Sequence, residues 1–138
     1  MAEDISNMIY RLVLRQSLHE IINDCNQLKE IKEILKNEDI NIYYVGLEED
    51  LDILRLKSHR ISEKIDYENP IEWEEEVNTI KGEWEGIWKS IERKTNIKKL
   101  ISEAEKISEK KKIKMGKKDR KLEQAIELLK LHQPKEKE

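Results

Sequence analysis

The chain has 138 residues, enough for one domain, and carries a formal net charge of −3. Hydrophobic residues make up 37% and charged residues 41%, with no Phe, 4 Gly and 2 Pro, a mixture that excludes a hairpin-rich β protein and favours long helices around a narrow core. No apolar run reaches the roughly 18 residues that cross a bilayer, and the start is acidic, so we expect a cytoplasmic protein without membrane contact.

The first predicted helix covers about residues 5–36. Its apolar positions recur at alternating steps of four and three, interrupted only by Lys32: Leu14, Leu18, Ile21, Cys25, Leu28 and Leu35. Further apolar residues widen this stripe: Met8, Ile9, Leu12, Val13, Ile22, Ile31 and Ile34. Such width predicts more than one neighbouring helix. Cys25, the single cysteine, is predicted to be a small core residue in a reducing compartment.

An uncharged β-branched and aromatic run follows at residues 40–45 and ends at Gly46. It is too short for a helix. One interpretation is a loop whose apolar side chains close the end of a bundle. The alternative is an edge strand or peptide-docking surface that includes Tyr43 and Tyr44, because free backbone groups in such a run can pair with another strand.

The second helix is predicted over about residues 47–66. The third begins at Asn69-Pro70, where Asn69 is suited to cap the helix and Pro70 to occupy its first position. Its apolar phase slips after Ile91, so the helix must kink, overwind or restart near Thr95-Asn96. Since neither residue is followed by a capping Glu or Gln, we expect one irregular helix over about residues 70–110.

The last helix is predicted over about residues 119–131, after a charged linker containing Gly116. Residues 132–138 are predicted to form a disordered tail. The fold expected from these elements is all-α, an elongated antiparallel helical bundle or coiled coil of three to four helices, with residues 1–131 as a single domain.

Three tryptophans, Trp73, Trp84 and Trp88, share one face of the third predicted helix. Because Trp73 and Trp84 fall on its core positions, burial is the first interpretation. Trp88 lies off those positions and is the candidate for an exposed anchor. Exposed tryptophans are typical of protein-binding surfaces, so Trp84 and Trp88 are candidate protein-interaction residues.

Small residues line the other side of the same helix: Thr79, Gly82, Gly86 and Ser90. Each glycine inside a helix costs about 1 kcal/mol relative to alanine. The close approach of another helix, from the same chain or a second copy, would explain two of them. Local flexibility is the alternative.

Charge is distributed unevenly along the chain. Residues 1–80 hold 9 basic and 19 acidic residues, whereas residues 81–138 hold 18 and 11. The basic residues are densest in one segment: Lys106, Lys110, Lys111, Lys112, Lys114, Lys117, Lys118, Arg120 and Lys121. A solvated face, or attraction to the acidic N-terminal helices, is one explanation. The alternative is nonspecific, salt-sensitive binding to nucleic acid through phosphate neutralisation.

Catalytic signatures are absent from the sequence. His19, His59 and His132 are scattered, and no phosphate-binding loop, paired-cysteine motif or Glu-x-x-His pair occurs. We therefore predict no enzyme activity, no metal, no cofactor and no small-molecule substrate. The expected function is a protein-interaction module, a small helical adaptor or regulatory subunit that binds another protein or a second copy of itself as a homodimer, with nucleic-acid binding as the alternative.

Overall fold

A computed structural model describes residues 4–132. Helices account for 86% of these residues, and no strand occurs among them. The five α-helices are α1 (Ile5–Asn37), α2 (Leu47–Tyr67), α3 (Glu74–Thr95), α4 (Ile97–Met115) and α5 (Arg120–Leu131), with a 3-10 turn at Pro70–Trp73. The all-α prediction is confirmed. No helix in the described part of the chain is long and apolar enough to cross a membrane.

The chain divides into two compact units. The first, here the acidic unit, comprises Met1–Leu28 and Gly46–Ile87. The second, the basic unit, comprises Lys29–Val45 and Trp88–Glu138. The acidic unit has 7 Lys and Arg against 17 Asp and Glu, a net charge of −10, and the basic unit has 20 against 13, a net charge of +7. The first unit is therefore strongly negative and the second strongly positive.

In the acidic unit, α1 and α2 run antiparallel. Arg15 Nε lies 2.9 Å from Asp66 Oδ1, and one turn further along α1, His19 Nε2 lies 3.4 Å from Ser62 Oγ. The buried apolar residues of the unit are Leu14, Leu18, Ile21, Ile22, Cys25, Leu28, Leu47, Leu51, Leu54, Ile65, Val77, Ile80, Trp84 and Ile87. Asn69 Oδ1 accepts from the backbone N–H of Ile71, which confirms the predicted cap, although it opens a 3-10 turn before α3.

In the basic unit, α4 and α5 form an antiparallel hairpin. Gly116, at φ +67°, ends α4, and the Asp119 side chain caps α5 by accepting from Leu122 N–H at 3.2 Å. Lys111 on α4 donates to Asp119 at 3.1 Å and also to Glu38, which follows α1. The buried apolar residues are Ile31, Leu35, Ile40, Ile42, Trp88, Ile91, Ile97, Leu100, Ile101, Ala104, Leu122, Ala125, Ile126 and Leu129.

The prediction of a single helix over residues 70–110 is wrong. The segment contains a 3-10 turn, then α3, a break at Asn96, and α4, which extends to Met115. Asn96 has φ +65°, a left-handed conformation that asparagine tolerates better than most residues, and its side chain accepts from Lys99 N–H. Glu92 Oε2 accepts from Ile97 N–H at 2.8 Å. These side chains satisfy the first amides of α4, so the chain can restart a helix in the new apolar phase.

The run at residues 40–45 forms a loop and not the edge strand that the sequence also allowed. Ile40 and Ile42 are buried, whereas Tyr43 is 65% exposed, and none of these residues forms a strand. The backbone N–H of Tyr43 donates to Thr95 Oγ1 at 2.9 Å. The loop therefore adds two isoleucines to the core of the basic unit.

The predicted tail overlaps the described residues only at His132. That residue follows α5, and its ring stacks on Trp88, with centroids 4.0 Å apart and planes inclined by 8°. The rest of the predicted tail, residues 133–138, lies outside the described residues.

Candidate protein-interaction surface

The first three turns of α1 carry a second apolar face. Five large side chains on it, Ile5, Met8, Ile9, Leu12 and Val13, are each between 49% and 72% exposed. We call these five residues the α1 stripe. Their spacing of three and four places them on one side of the helix. The stripe is therefore a continuous apolar surface that nothing in the described part of the acidic unit covers.

The stripe lies opposite the core side of α1. At about 100° per residue, the stripe centres about 180° away from Leu14 and Leu18, which are buried. Of the residues that widen the apolar pattern of this helix, Ile22 and Ile31 are buried. Met8, Ile9, Leu12 and Val13 are exposed, so the prediction that neighbouring helices cover the widened stripe is wrong for these four residues. Those residues form a separate outward face rather than a broader inward one.

The outer face of α1 changes character beyond the stripe. Continuing the same side of the helix gives Gln16, Glu20, Asn23 and Gln27, all polar and all exposed. An ordinary solvent-facing helix would carry such residues along its whole length. The apolar character of the outer face is therefore confined to the first three turns, and contiguous exposed apolar patches of this kind are typical of interaction sites.

The helix that carries the stripe is held firmly at this end. The Arg11 guanidinium donates to the backbone carbonyls of Ile65 and, at 2.9 Å, Glu68 at the end of α2. A cation is favourable there because the last carbonyls of a helix are unsatisfied and negative. Burial, followed by the nearby Glu74 carboxylate, raises the pKa of Tyr10 above its ordinary value. The stripe is therefore presented on an anchored helix.

The candidate tryptophans are buried. Trp84, in the acidic unit, and Trp88, in the basic unit, are each only 8% exposed. Trp88 therefore does not form the exposed anchor that its off-register position suggested, because it stacks on His132. Trp73 is half-buried, and its indole N–H donates to Glu68 Oε2 at 2.7 Å. The core interpretation describes Trp84 and Trp88 better than the binding interpretation.

The two glycines among the small residues of α3 have open space beside them. A Cβ atom added at Gly82 or Gly86 would meet no atom within 4 Å. Thr79 Oγ1 donates to the Glu75 carbonyl at 3.0 Å, and Ser90 Oγ accepts from Arg93 at 3.3 Å. No described residue approaches the glycines closely enough to require them, so approach by another helix of this chain does not explain them. Approach by a second copy stays a prediction.

The remaining candidates lie in the basic unit. Tyr44 is half-buried, and Lys94 Nζ lies 5.4 Å from its ring centroid, a cation–π contact. Eight of the nine predicted basic residues are exposed, and Lys111 is the half-buried exception. Its hydrogen bond to Glu38, and then that to Asp119, raise the pKa of Lys111. The hydrogen bond from Leu122 N–H, and then that from Lys111, lower the pKa of Asp119.

An open hollow of about 490 Å³ lies beside the start of α5, lined by Lys117, Lys118, Arg120 and Glu123. Three of these four residues are basic, so the hollow can attract an anion, although Glu123 opposes it. Among the described residues, no group of three His, Cys, Asp or Glu side chains is placed to hold a metal ion.

Cys25 is fully buried in the acidic unit. Burial, followed by the charge of Asp24, raises the pKa of its thiol to about 11. A thiol with such a pKa carries almost no thiolate at neutral pH, and the thiolate is the reactive form. The geometry of Cys25 is that of a core residue.

Comparison with protein-family models, curated proteins and solved structures finds no match for this chain.

Sequence reasoning missed the α1 stripe as a site, although the signal was present. Ile5, Ile9 and Leu12 repeat at helical spacing half a turn away from the Leu14 and Leu18 positions. A single wide stripe does not distinguish the two sets, whereas the angle of each apolar residue around the helix separates an inner face from an outer one.

Proposed function

We propose that this protein is a non-enzymatic protein-interaction module that binds its partner through the α1 stripe. The observation that carries the proposal is the exposure of five large apolar side chains on one side of an anchored helix. Burying such a surface releases about 25 cal/mol per Å². The helix needs no refolding to bind, so little ordering entropy opposes the contact.

The setting of the stripe supports a protein partner. A helix that presents apolar residues at spacings of three and four fits into a groove or against another helix. A bilayer is a poorer partner, because the acidic unit carries a net charge of −10 and anionic lipids would repel it. The proposal includes the roles and arrangement expected from the sequence: an adaptor or regulatory subunit in the cytoplasm, built as an elongated antiparallel bundle.

The test substitutes the centre of the stripe, Ile9→Glu, and compares it with Asn23→Glu, which adds the same charge to the same side of α1 outside the stripe. Self-association is measured by sedimentation equilibrium, and partner retention by affinity purification from the source cells. We expect Ile9→Glu to abolish association and Asn23→Glu to preserve it. Circular dichroism confirms that both variants fold. Equal association by the two variants would contradict the proposal.

Nucleic-acid binding by the basic unit is the second candidate. Its net charge of +7 and its eight exposed basic side chains in residues 106–121 favour contact with phosphates. Lysines dominate and no aromatic residue lies among them, which favours nonspecific binding over base readout.

Fluorescence anisotropy with a labelled duplex, titrated at low and high salt, tests this candidate. We expect binding that weakens steeply with salt. Replacing Lys114 and Lys118 with glutamate should reduce both the affinity and the salt dependence, whereas the same change at Lys57 and Lys64 of the acidic unit should have little effect. An absence of binding at low salt would rule out this candidate.

A further inference from the structure

We propose that the partner of the α1 stripe is a second copy of this chain, and that the first three turns of α1 from the two copies pair antiparallel. This inference rests on the proposed function, since it names the molecule that covers the stripe. It arises from the charges beside the stripe rather than from the apolar residues alone. An apolar stripe accepts many partners, but charges of fixed sign and position select among them.

Two opposite charges flank the stripe on the same side. Asp4 precedes the first turn, and Arg15 follows the last apolar residue by two positions. Arg15 lies eleven positions after Asp4, which at about 100° per residue leaves the two about 20° apart around the helix and about 16 Å apart along it. Along the helix axis, their midpoint falls between Ile9 and Tyr10, level with the centre of the stripe, and around the helix both charges lie about 100° to one side of that centre.

A two-fold axis through that midpoint makes the charges complementary. In an antiparallel pair, Asp4 of one copy lies level with Arg15 of the other, and the symmetry generates this contact twice. The same operation places Ile9 near its own counterpart and Ile5 near Val13 of the second copy. A parallel pair would instead place Asp4 against Asp4 and Arg15 against Arg15. The charge pattern therefore favours the antiparallel arrangement.

Both charged side chains can form this contact. Asp4 is exposed, and its Oδ1 accepts from Ser6 N–H at 3.2 Å. The Arg15 side chain is 37% exposed and uses Nε toward Asp66. A guanidinium has five N–H groups, so Arg15 can serve Asp66 within its chain and Asp4 across the interface together.

The tail of this chain is a poor occupant of the stripe. Residues 133–138 read Gln-Pro-Lys-Glu-Lys-Glu and contain no large apolar side chain. A second copy supplies an apolar surface of matching length, because the stripe is its own complement under two-fold symmetry. Standard interfaces use about 20 to 30 residues on each side. The stripe has five, so the dimer is expected to be weak and dependent on concentration.

Two charge variants test the pairing directly. In Asp4→Lys homodimers, both contacts become Lys against Arg15. In Arg15→Glu homodimers, both become Asp4 against Glu. We expect each variant alone to dimerise at least about tenfold more weakly than the wild type. A mixture of the two forms heterodimers in which Lys meets Glu and Asp4 meets Arg15, so mixing should restore association to near the wild-type value.

Sedimentation equilibrium gives the dimerisation constants, and resonance energy transfer between differently labelled variants detects the heterodimer. Asp4→Asn is the control for helix capping, since asparagine keeps the cap and removes the charge; it should weaken dimerisation less than Asp4→Lys. Failure of the mixture to associate more tightly than either variant overturns the antiparallel pairing. A wild-type chain that stays monomeric at millimolar concentration overturns the second copy as partner. In that case, loss of another protein partner by Ile9→Glu would still support the proposed function.

Discussion

The acidic and basic units differ in how their exposed apolar residues are arranged. The acidic unit, with net charge −10, presents a continuous apolar stripe on α1. The basic unit, with net charge +7, also exposes apolar residues, but Tyr43 and Val45 lie in a loop, and Ile113, Met115 and Leu131 near helix ends. Exposed apolar residues scattered in this way are ordinary, whereas five on one side of a helix are not. The continuous apolar face therefore distinguishes the acidic unit from the basic unit.

The largest expected effects come from the two cores. Leu18 and Leu129 are fully buried, in the acidic and basic units respectively. Replacing either with alanine should lower the free energy of unfolding by about 2 to 5 kcal/mol, because a cavity is left behind. Since α1 and α3 each run through both units, we expect one cooperative transition. Leu12→Ala in the stripe is the control and should change stability by less than about 0.5 kcal/mol in the monomer.

Urea unfolding followed by circular dichroism measures these differences, and amide exchange assigns them to a unit. If Leu129→Ala accelerated exchange in the basic unit alone, the two units would unfold separately. The acidic and basic units would then be independent in stability as well as in charge.

The break between α3 and α4 belongs to the basic unit alone and gives the next largest effect. Asn96→Ala removes a side-chain cap and places alanine at φ +65°. Loss of a cap costs about 1 kcal/mol, and the left-handed conformation adds about 1 kcal/mol. We expect a decrease of about 2 kcal/mol in the free energy of unfolding, measured by urea titration. Asn96→Gly, which tolerates the positive φ, should cost clearly less; equal losses would show that φ is not the cause.

Loss of the ion pairs of Lys111 should have a smaller effect on the stability of the basic unit. Replacing Lys111 with methionine leaves Glu38 and Asp119 half-buried without this cation and should cost about 1 to 2 kcal/mol at neutral pH. Lys110→Met, one residue earlier and exposed, is the matched control and should change little. A loss as large in the control would mean that the general charge of α4, rather than the pairing, stabilises the unit.

The cost of Lys111→Met should depend on pH. The folded pKa of Asp119 lies below its ordinary value of 3.8, so its contribution is present above that value and is lost as the pH falls through the lower folded pKa. The folded pKa of Lys111 lies above 10.5, so its contribution is lost only as the pH rises beyond that value. Urea titrations across the acid range should show the difference between wild type and variant shrinking toward low pH.

The smallest expected effect is a gain. Gly86→Ala should raise the free energy of unfolding by about 0.5 to 1 kcal/mol, because alanine favours the helix and its Cβ meets no atom within 4 Å. Thermal unfolding measures the change. If a second copy packed closely on the small residues of α3, the same substitution would weaken dimerisation, and sedimentation would detect it. Unchanged dimerisation would assign self-association to surfaces other than α3.

Local patterns predicted most of the fold. The bounds of α1, α2 and α5 agree with the sequence to within about one residue, because apolar spacing and capping residues define them. The phase slip after Ile91 located the break at Asn96. The restart was not predicted, because its caps depend on the left-handed backbone of Asn96 and on Glu92 reaching forward to Ile97. Neither follows from the usual capping pattern.

Surface features were harder to predict, because they depend on which face of a helix remains uncovered. Trp88 is buried where the sequence suggested exposure, and the α1 stripe is exposed where the sequence suggested burial. The sequence makes Trp88 a candidate for an exposed anchor, whereas in the structure its ring is covered by His132 at the end of α5. The sequence pattern predicts that Met8 and Leu12 face inward, whereas both are exposed. The pairing of Lys111 with Glu38, 73 positions apart, likewise has no local signature.

The burial of Cys25 makes it a kinetic reporter of the acidic unit. A fully buried thiol with a pKa of about 11 reacts with an aromatic disulfide reagent only when the surrounding core opens. Its labelling rate therefore measures how often the core around it opens. Amide exchange measures the same opening, whereas labelling follows one chemically unique atom. A partner that binds only the closed form slows labelling in proportion to its occupancy. The labelling rate of Cys25 thus measures the binding of any molecule that contacts α1 in the closed form.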